Sequence, residues 1–100
     1  MLAKFRTYQL ATTFYRKGQK IKMPRHLRDQ FDRASSSICL NLAEGSGKET
    51  AKDKCRFYHI AKGSLRECQA ILELLEDHTL YDLTDHIGAS IYRLCQKSGP

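Results

Sequence analysis

One hundred residues, 41% hydrophobic and 28% charged, predict one small globular domain spanning 1–100 with a core of modest size. Six Gly, two Pro, no Trp and no apolar run near the ~18–20 residues of a membrane-spanning helix exclude collagen-like repeats, channels and multidomain enzymes. A net charge of +6 admits a polyanion as one class of partner.

From the amino end, Phe5, Tyr8, Leu10, Ala11, Phe14 and Tyr15 fall on one side of a helix at ~100° per residue, and Gly18 is its expected stop. Pro24 suits the first turn of a second helix, where a missing N–H costs nothing. Leu27, Phe31, Ala34, Ile38 and Leu42 continue it as an apolar stripe ending at Gly45, which is expected to supply a left-handed closing conformation. After the loop Ser46-Gly47-Lys48-Glu49, Thr50 and Asp53 resemble a capping box with the shorter acid. The third and longest helix aligns Phe57, Ile60, Ala61, Ser64, Leu65, Cys68, Ile71, Leu72 and Leu75 toward the core. Thr79 and Asp82 repeat the start signal before Leu83, Ile87, Ile91 and Leu94. No segment sustains a period of two, so no strand is expected. Short connections make sequential helices antiparallel neighbours, and the predicted fold is all-α, an up-down-up-down antiparallel four-helix bundle.

Charge divides the chain. Residues 1–66 hold fifteen basic and five acidic groups, whereas residues 67–100 hold two and six. Lys4, Arg6, Arg16, Lys17, Lys20, Lys22, Arg25 and Arg28 occupy a stretch with no Asp or Glu, and are the candidate nucleic-acid contacts. The plain alternative is a solvated surface that keeps a small protein soluble. No aromatic residue is clearly left over to stack on bases, so no preference for single strands is expected.

Two features sit oddly in a solitary bundle. Gln30, Arg33, Ser37, Asn41 and Glu44 form a polar line beside the apolar stripe of the second helix. Gly63, with Ala70 and Leu74 on the same outer side, interrupts the third helix where Gly costs ~1 kcal/mol against Ala. A subunit interface explains both; an ordinary wet helix surface is the simpler account. Arg33 is the expected partner of Glu44, in a neighbouring subunit or helix.

Residues 33–45, RASSSICLNLAEG, and 57–75, FYHIAKGSLRECQAILELL, resemble the bacterial four-helix bundle proteins encoded within insertions of 23S ribosomal RNA genes. The matching residues are Arg33, Ala34, Ser37, Ile38, Asn41, Ala43, Glu44 and Gly45, then Ile60, Ala61, Gly63, Ser64, Leu65 and Glu67. Resemblance is strongest over residues 24–76, and Leu42 stands where the family more often has Ile. The family implies a homo-oligomeric ring, typically of five subunits, with its interface on the polar line and the Gly63 side, including Glu67. Relatives include the accessory proteins of diversity-generating retroelements, basic adaptors for nucleic acid and a reverse transcriptase. That resemblance makes RNA or DNA backbone, and a reverse transcriptase, the implied partners. A scaffold ring that meets only proteins is the alternative.

Catalysis finds no support in the sequence. Glu73, Glu76, Asp77, Asp82 and Asp85 cluster without a base–nucleophile arrangement, and Gly45-Ser46-Gly47-Lys48 lacks phosphate-loop spacing and follows a helix. Cys55 and His59 share a helix face at i, i+4, half a metal site, but no second pair at ligand spacing accompanies them. No enzyme, metal site or cofactor is predicted. The first seventeen residues also read as an amphipathic presequence, or as a helix lying on an anionic membrane. The bundle core needs that aromatic face, so no membrane role is expected, and a cytoplasmic protein with reduced thiols is predicted.

Overall fold

Helical periodicity resolves into four α-helices in the computed structural model, which describes residues 2–98. A 3-10 turn over Leu2–Lys4 precedes α1 (Arg6–Gly18), α2 (Arg25–Ser46), α3 (Ala51–Leu74) and α4 (Tyr81–Ser98). Each helix packs on its sequence neighbours, and α1 closes the bundle against α4. The long axis of 41 Å follows from α3, whose 24 residues span about 36 Å at 1.5 Å each. Among the described residues, no helix is long and apolar enough to cross a membrane.

Helix starts differ in how they are made. Thr50 caps α3 as expected, its side chain accepting the Asp53 N–H at 3.1 Å. Pro24 stands one residue earlier than expected, at the N-cap of α2, its carbonyl accepting from Leu27 and Arg28. Thr79 does not cap α4 through a box with Asp82. Its N–H and hydroxyl both donate to Asp77 Oδ1, at 3.0 and 2.6 Å, and these bonds hold the Asp77 carboxyl below its usual range.

The stop of α3 carries no glycine. Asp77 N–H donates to the Leu72 carbonyl and Glu76 N–H to that of Glu73, both at 3.0 Å, the paired bonds of a Schellman motif. Glu76 therefore adopts φ 54°, a left-handed conformation that costs a non-glycine residue ~1–2 kcal/mol. It also places a negative charge beside the negative end of the helix dipole. Glu76→Gly is expected to stabilise the fold by about 1 kcal/mol after the added unfolded-state entropy is subtracted, read as a higher urea midpoint with unchanged slope.

Phe14, Phe31, Ile38, Leu42, Ala61, Leu65, Cys68, Ile87 and Ile91 form the centre of the core, at most 2% exposed. Thr7, Ser35, Thr84 and Ser90 are also buried, outside the predicted apolar set. Their polarity is satisfied: the Thr7 and Ser90 hydroxyls bond one another across α1 and α4, and Thr84 donates to the Tyr81 carbonyl at 2.9 Å. Ile60, expected inside, is 46% exposed, while its neighbour Tyr58 is buried instead. The apolar arc on α3 is wider than the face that α2 and α4 cover, and Ile60 lies at its outer edge.

Gly18 is the last residue of α1, where a stop was expected, and Gly45 the last but one of α2, but neither has a positive φ, so the left-handed closure expected at Gly45 is absent. Their role is proximity. A Cβ on Gly18 would stand 2.5 Å from Phe31 Cε2, and one on Gly45 would stand 2.6 Å from Tyr58 Cε1. Each glycine is the floor on which an aromatic ring of the next element rests.

Candidate nucleic-acid and assembly surfaces

Cations gather at both ends of α1. Lys4 and Arg6 stand at its start; Arg16, Lys17, Lys20, Lys22 and Arg25 crowd its last turn and the connector to α2, and all seven are exposed. About 15 Å of helix, from Arg6 to Arg16, separates the groups. Arg16 and Lys17 also offset the negative end of the α1 dipole. Arg28 differs from the others. Its Nη1 donates to Asp32 Oδ1 at 2.9 Å and to the Gly18 carbonyl at 3.3 Å, Nη2 donates to the Ile21 carbonyl, and its guanidinium lies 5.9 Å from the Phe31 ring centre. It fastens the α1–α2 connector from within.

The fold brings further cations to one of these ends. Phe5 meets Tyr58, ring centres 6.3 Å apart, so the start of α1 shares an end of the bundle with the start of α3. Lys48, Lys52 and Arg56 therefore stand at the same end of the bundle as Lys4 and Arg6. Lys48 Nζ and Arg56 lie 5.1 and 4.9 Å from the Phe57 ring centre. Lys54 is engaged, donating to the Ser46 carbonyl at 3.1 Å. Tyr81 and Tyr92 are 66% and 55% exposed, so rings able to stack are present, contrary to the expectation from sequence. The apolar faces of α4 point inward at Ile87 and Ile91, which leaves Tyr92 outside beneath Lys62.

The polar line of α2 faces the groove with α3. Ser37 Oγ lies 2.8 Å from Ser64 Oγ, and Asn41 Nδ2 donates to the Ser37 carbonyl and hydroxyl at 2.9 and 3.0 Å. Arg33 reaches Glu67 of α3 at 3.7 Å rather than Glu44, which pairs with Lys48 at 3.3 Å. Both pairs are open to water and contribute ~0–1 kcal/mol each. Gln30 is exposed and donates within its helix to the His26 carbonyl. Along α3, Ile60, Gly63, Ala70 and Leu74 share an outward line with the charged Glu67 among them; Leu74 is 73% exposed, and nothing lies within 4 Å of a Cβ placed on Gly63.

The sequence model of one family, 23S rRNA-intervening sequence protein, matches residues 4–98. The chain belongs to that family. No curated protein and no solved structure matches it. The match takes in α1 and α4 as well as the central stretch over residues 24–76.

This intervening-sequence protein also holds a side-chain cluster that sequence spacing concealed. Cys95 of α4 stands with Cys55 and His59 of α3, their ligand atoms all within 4.8 Å of one another. Burial and the adjacent Cys55 thiol push the Cys95 thiol up to about 12. Cys39 and Cys68 lie apart in the core, pushed by burial to about 11 and about 12, so they stay neutral and inert. The signal available beforehand was hairpin symmetry: in an antiparallel pair, residues equally far from the turn face one another, as Lys62 faces Tyr92. A surface depression of about 370 Å³ lies instead beside the α3–α4 turn and includes Glu73, Asp77, His78 and Tyr81.

Proposed function

We propose that this intervening-sequence protein is a non-catalytic homo-oligomer, a ring of five, whose basic surface binds RNA or DNA through the phosphate backbone without reading sequence. The observation that carries the proposal is the state of its cations. Lys4, Arg6, Arg16, Lys17, Lys20, Lys22 and Arg25 are exposed, and among the described residues none is within ion-pair distance of an acid. Unpaired cations at two ends of one helix are what counterion release requires. Five copies would sum to a formal charge of roughly +30, a strong field for a polyanion. The protein partner in this reading is a reverse transcriptase.

Assembly is supported by the exposed Ile60–Leu74 line on α3 and by total surface. The chain exposes 6489 Å², above the ~5,800 Å² of a compact monomer of this mass. Covering α3's outer face would place Gly63 and Ala70 against a second backbone, while Arg33, Ser37, Asn41 and Glu67 set the register beside it.

Light scattering gives the assembly mass, and titration with generic RNA and duplex DNA at two salt concentrations gives the rest. Affinity is expected to fall steeply with salt and to be indifferent to sequence. The Arg16→Gln/Lys17→Gln/Lys20→Gln/Lys22→Gln variant should lose most of that affinity, its log–log salt slope shrinking by ~0.9 per duplex phosphate contact removed. Absence of binding at low salt would leave the scaffold ring, meeting proteins through its acidic last third. Asn41→Leu should broaden subunit stoichiometry; an unchanged ring in native mass spectrometry would remove Asn41 from register control.

A further inference from the structure

We infer that Cys55, His59 and Cys95 form a zinc site that ties the first turns of α3 to the last turns of α4 and leaves one coordination position open. This site is separate from the proposed polyanion surface and does not depend on it.

Donor type and spacing carry the inference. Two thiols and an imidazole suit zinc, and exclude calcium and magnesium, which take oxygen ligands. In a tetrahedral zinc site with these bond lengths, donors stand about 3.5–3.8 Å apart. The three ligand atoms here already lie within 4.8 Å, so small side-chain rotations close the set without moving a helix. Cys55 and His59 stack one turn apart on α3, the geometry in which a helix presents two ligands to one ion. His59 is exposed and both cysteines are half-buried, so an ion enters from solvent and the sulfurs are then partly shielded.

Binding is a proton exchange. One Zn²⁺ replaces the thiol protons of Cys55 and Cys95; two H⁺ leave, and a neutral imidazole nitrogen supplies the third bond. Zinc and two thiolates sum to zero charge, so the chain's net charge is unchanged by loading. His59 and Cys95 line a shallow depression of about 250 Å³ with Lys62, Tyr92 and Gln96, and the fourth ligand is a water at that opening.

Cobalt(II) added to metal-stripped protein in a non-thiol reductant tests the site. The expected result is one ion per chain, with intense tetrahedral d–d bands and sulfur-to-cobalt charge transfer, displaced by zinc. Zinc should also raise the melting temperature and protect Cys55 from alkylation. Cys95→Ser, with helical content unchanged by circular dichroism, should weaken binding by more than ~100-fold, beyond what an outer-shell partner costs. His59→Gln, at an exposed position that the fold does not need, should do the same. A weak octahedral spectrum, tight binding that survives in Cys55→Ser/Cys95→Ser, or no cobalt uptake by thiols that instead form a Cys55–Cys95 disulfide on oxidation would each overturn the inference.

Discussion

Truncating Phe31 to Ala is expected to remove about 3–5 kcal/mol of stability and to reverse the sign of a second substitution 13 residues away. Phe31 is fully buried, with its ring tilted at 52° to Phe14 and their centres 5.7 Å apart. Its far edge rests on Gly18. In the native background, Gly18→Ala would drive a methyl to 2.5 and 2.9 Å from Phe31 Cε2 and Cζ. Overpacking of this kind costs ~1–3 kcal/mol, more than the up to ~1 kcal/mol that Ala gains over Gly in a helix. In the Phe31→Ala background the clash disappears, so Gly18→Ala should become stabilising. Urea midpoints of the four proteins measure the cycle directly. Equal losses in both backgrounds would mean that the ring is not what requires a glycine there.

Gly45→Ala should be the more damaging of the two glycine substitutions, at about 3 kcal/mol, or roughly 12 °C in melting temperature at the lower end of the usual conversion. The added Cβ would meet Tyr58 Cε1 and Cδ1 at 2.6 and 2.9 Å, and also the Lys54 carbonyl oxygen at 3.1 Å. A ring can tilt, but a carbonyl inside the first turn of α3 moves only with the helix. Tyr58→Leu should therefore rescue Gly45→Ala in part, never fully. Gly63→Ala supplies the contrast. With nothing within 4 Å of its Cβ, that change should leave the isolated protomer as stable or up to ~1 kcal/mol more so. Loss of assembly mass in a well-folded Gly63→Ala protein would show a second backbone at that position.

The helices and their antiparallel order were legible because period and punctuation act locally. The stripe from Phe31 to Leu42 and the Thr50 cap need nothing beyond their own segments. What could not be read depends on the neighbour across the groove. Gly18 and Gly45 do mark the helix ends, but nothing local says that the rings of Phe31 and Tyr58 lie on them. Ile60 looks like core until the covered arc of α3 is known. Arg28 reads as one more exposed cation, yet the connector folds around it. The basic corner at the start of α3 and the Cys55–His59–Cys95 cluster join residues from different helices, so they required the register of the hairpins.

Arg28 has a thermodynamic consequence for any anion that would meet the α1–α2 connector, at the end of the bundle away from the start of α3. Loops usually surrender conformational freedom when they are gripped, at ~1–2 kcal/mol per ordered backbone residue. Here the carbonyls of Gly18 and Ile21 are already fastened to one guanidinium, which is itself anchored by Asp32. Lys20 and Lys22 are thus presented from a preorganised scaffold, and an anion bound there, as proposed, would spend little of its binding free energy on immobilising the chain.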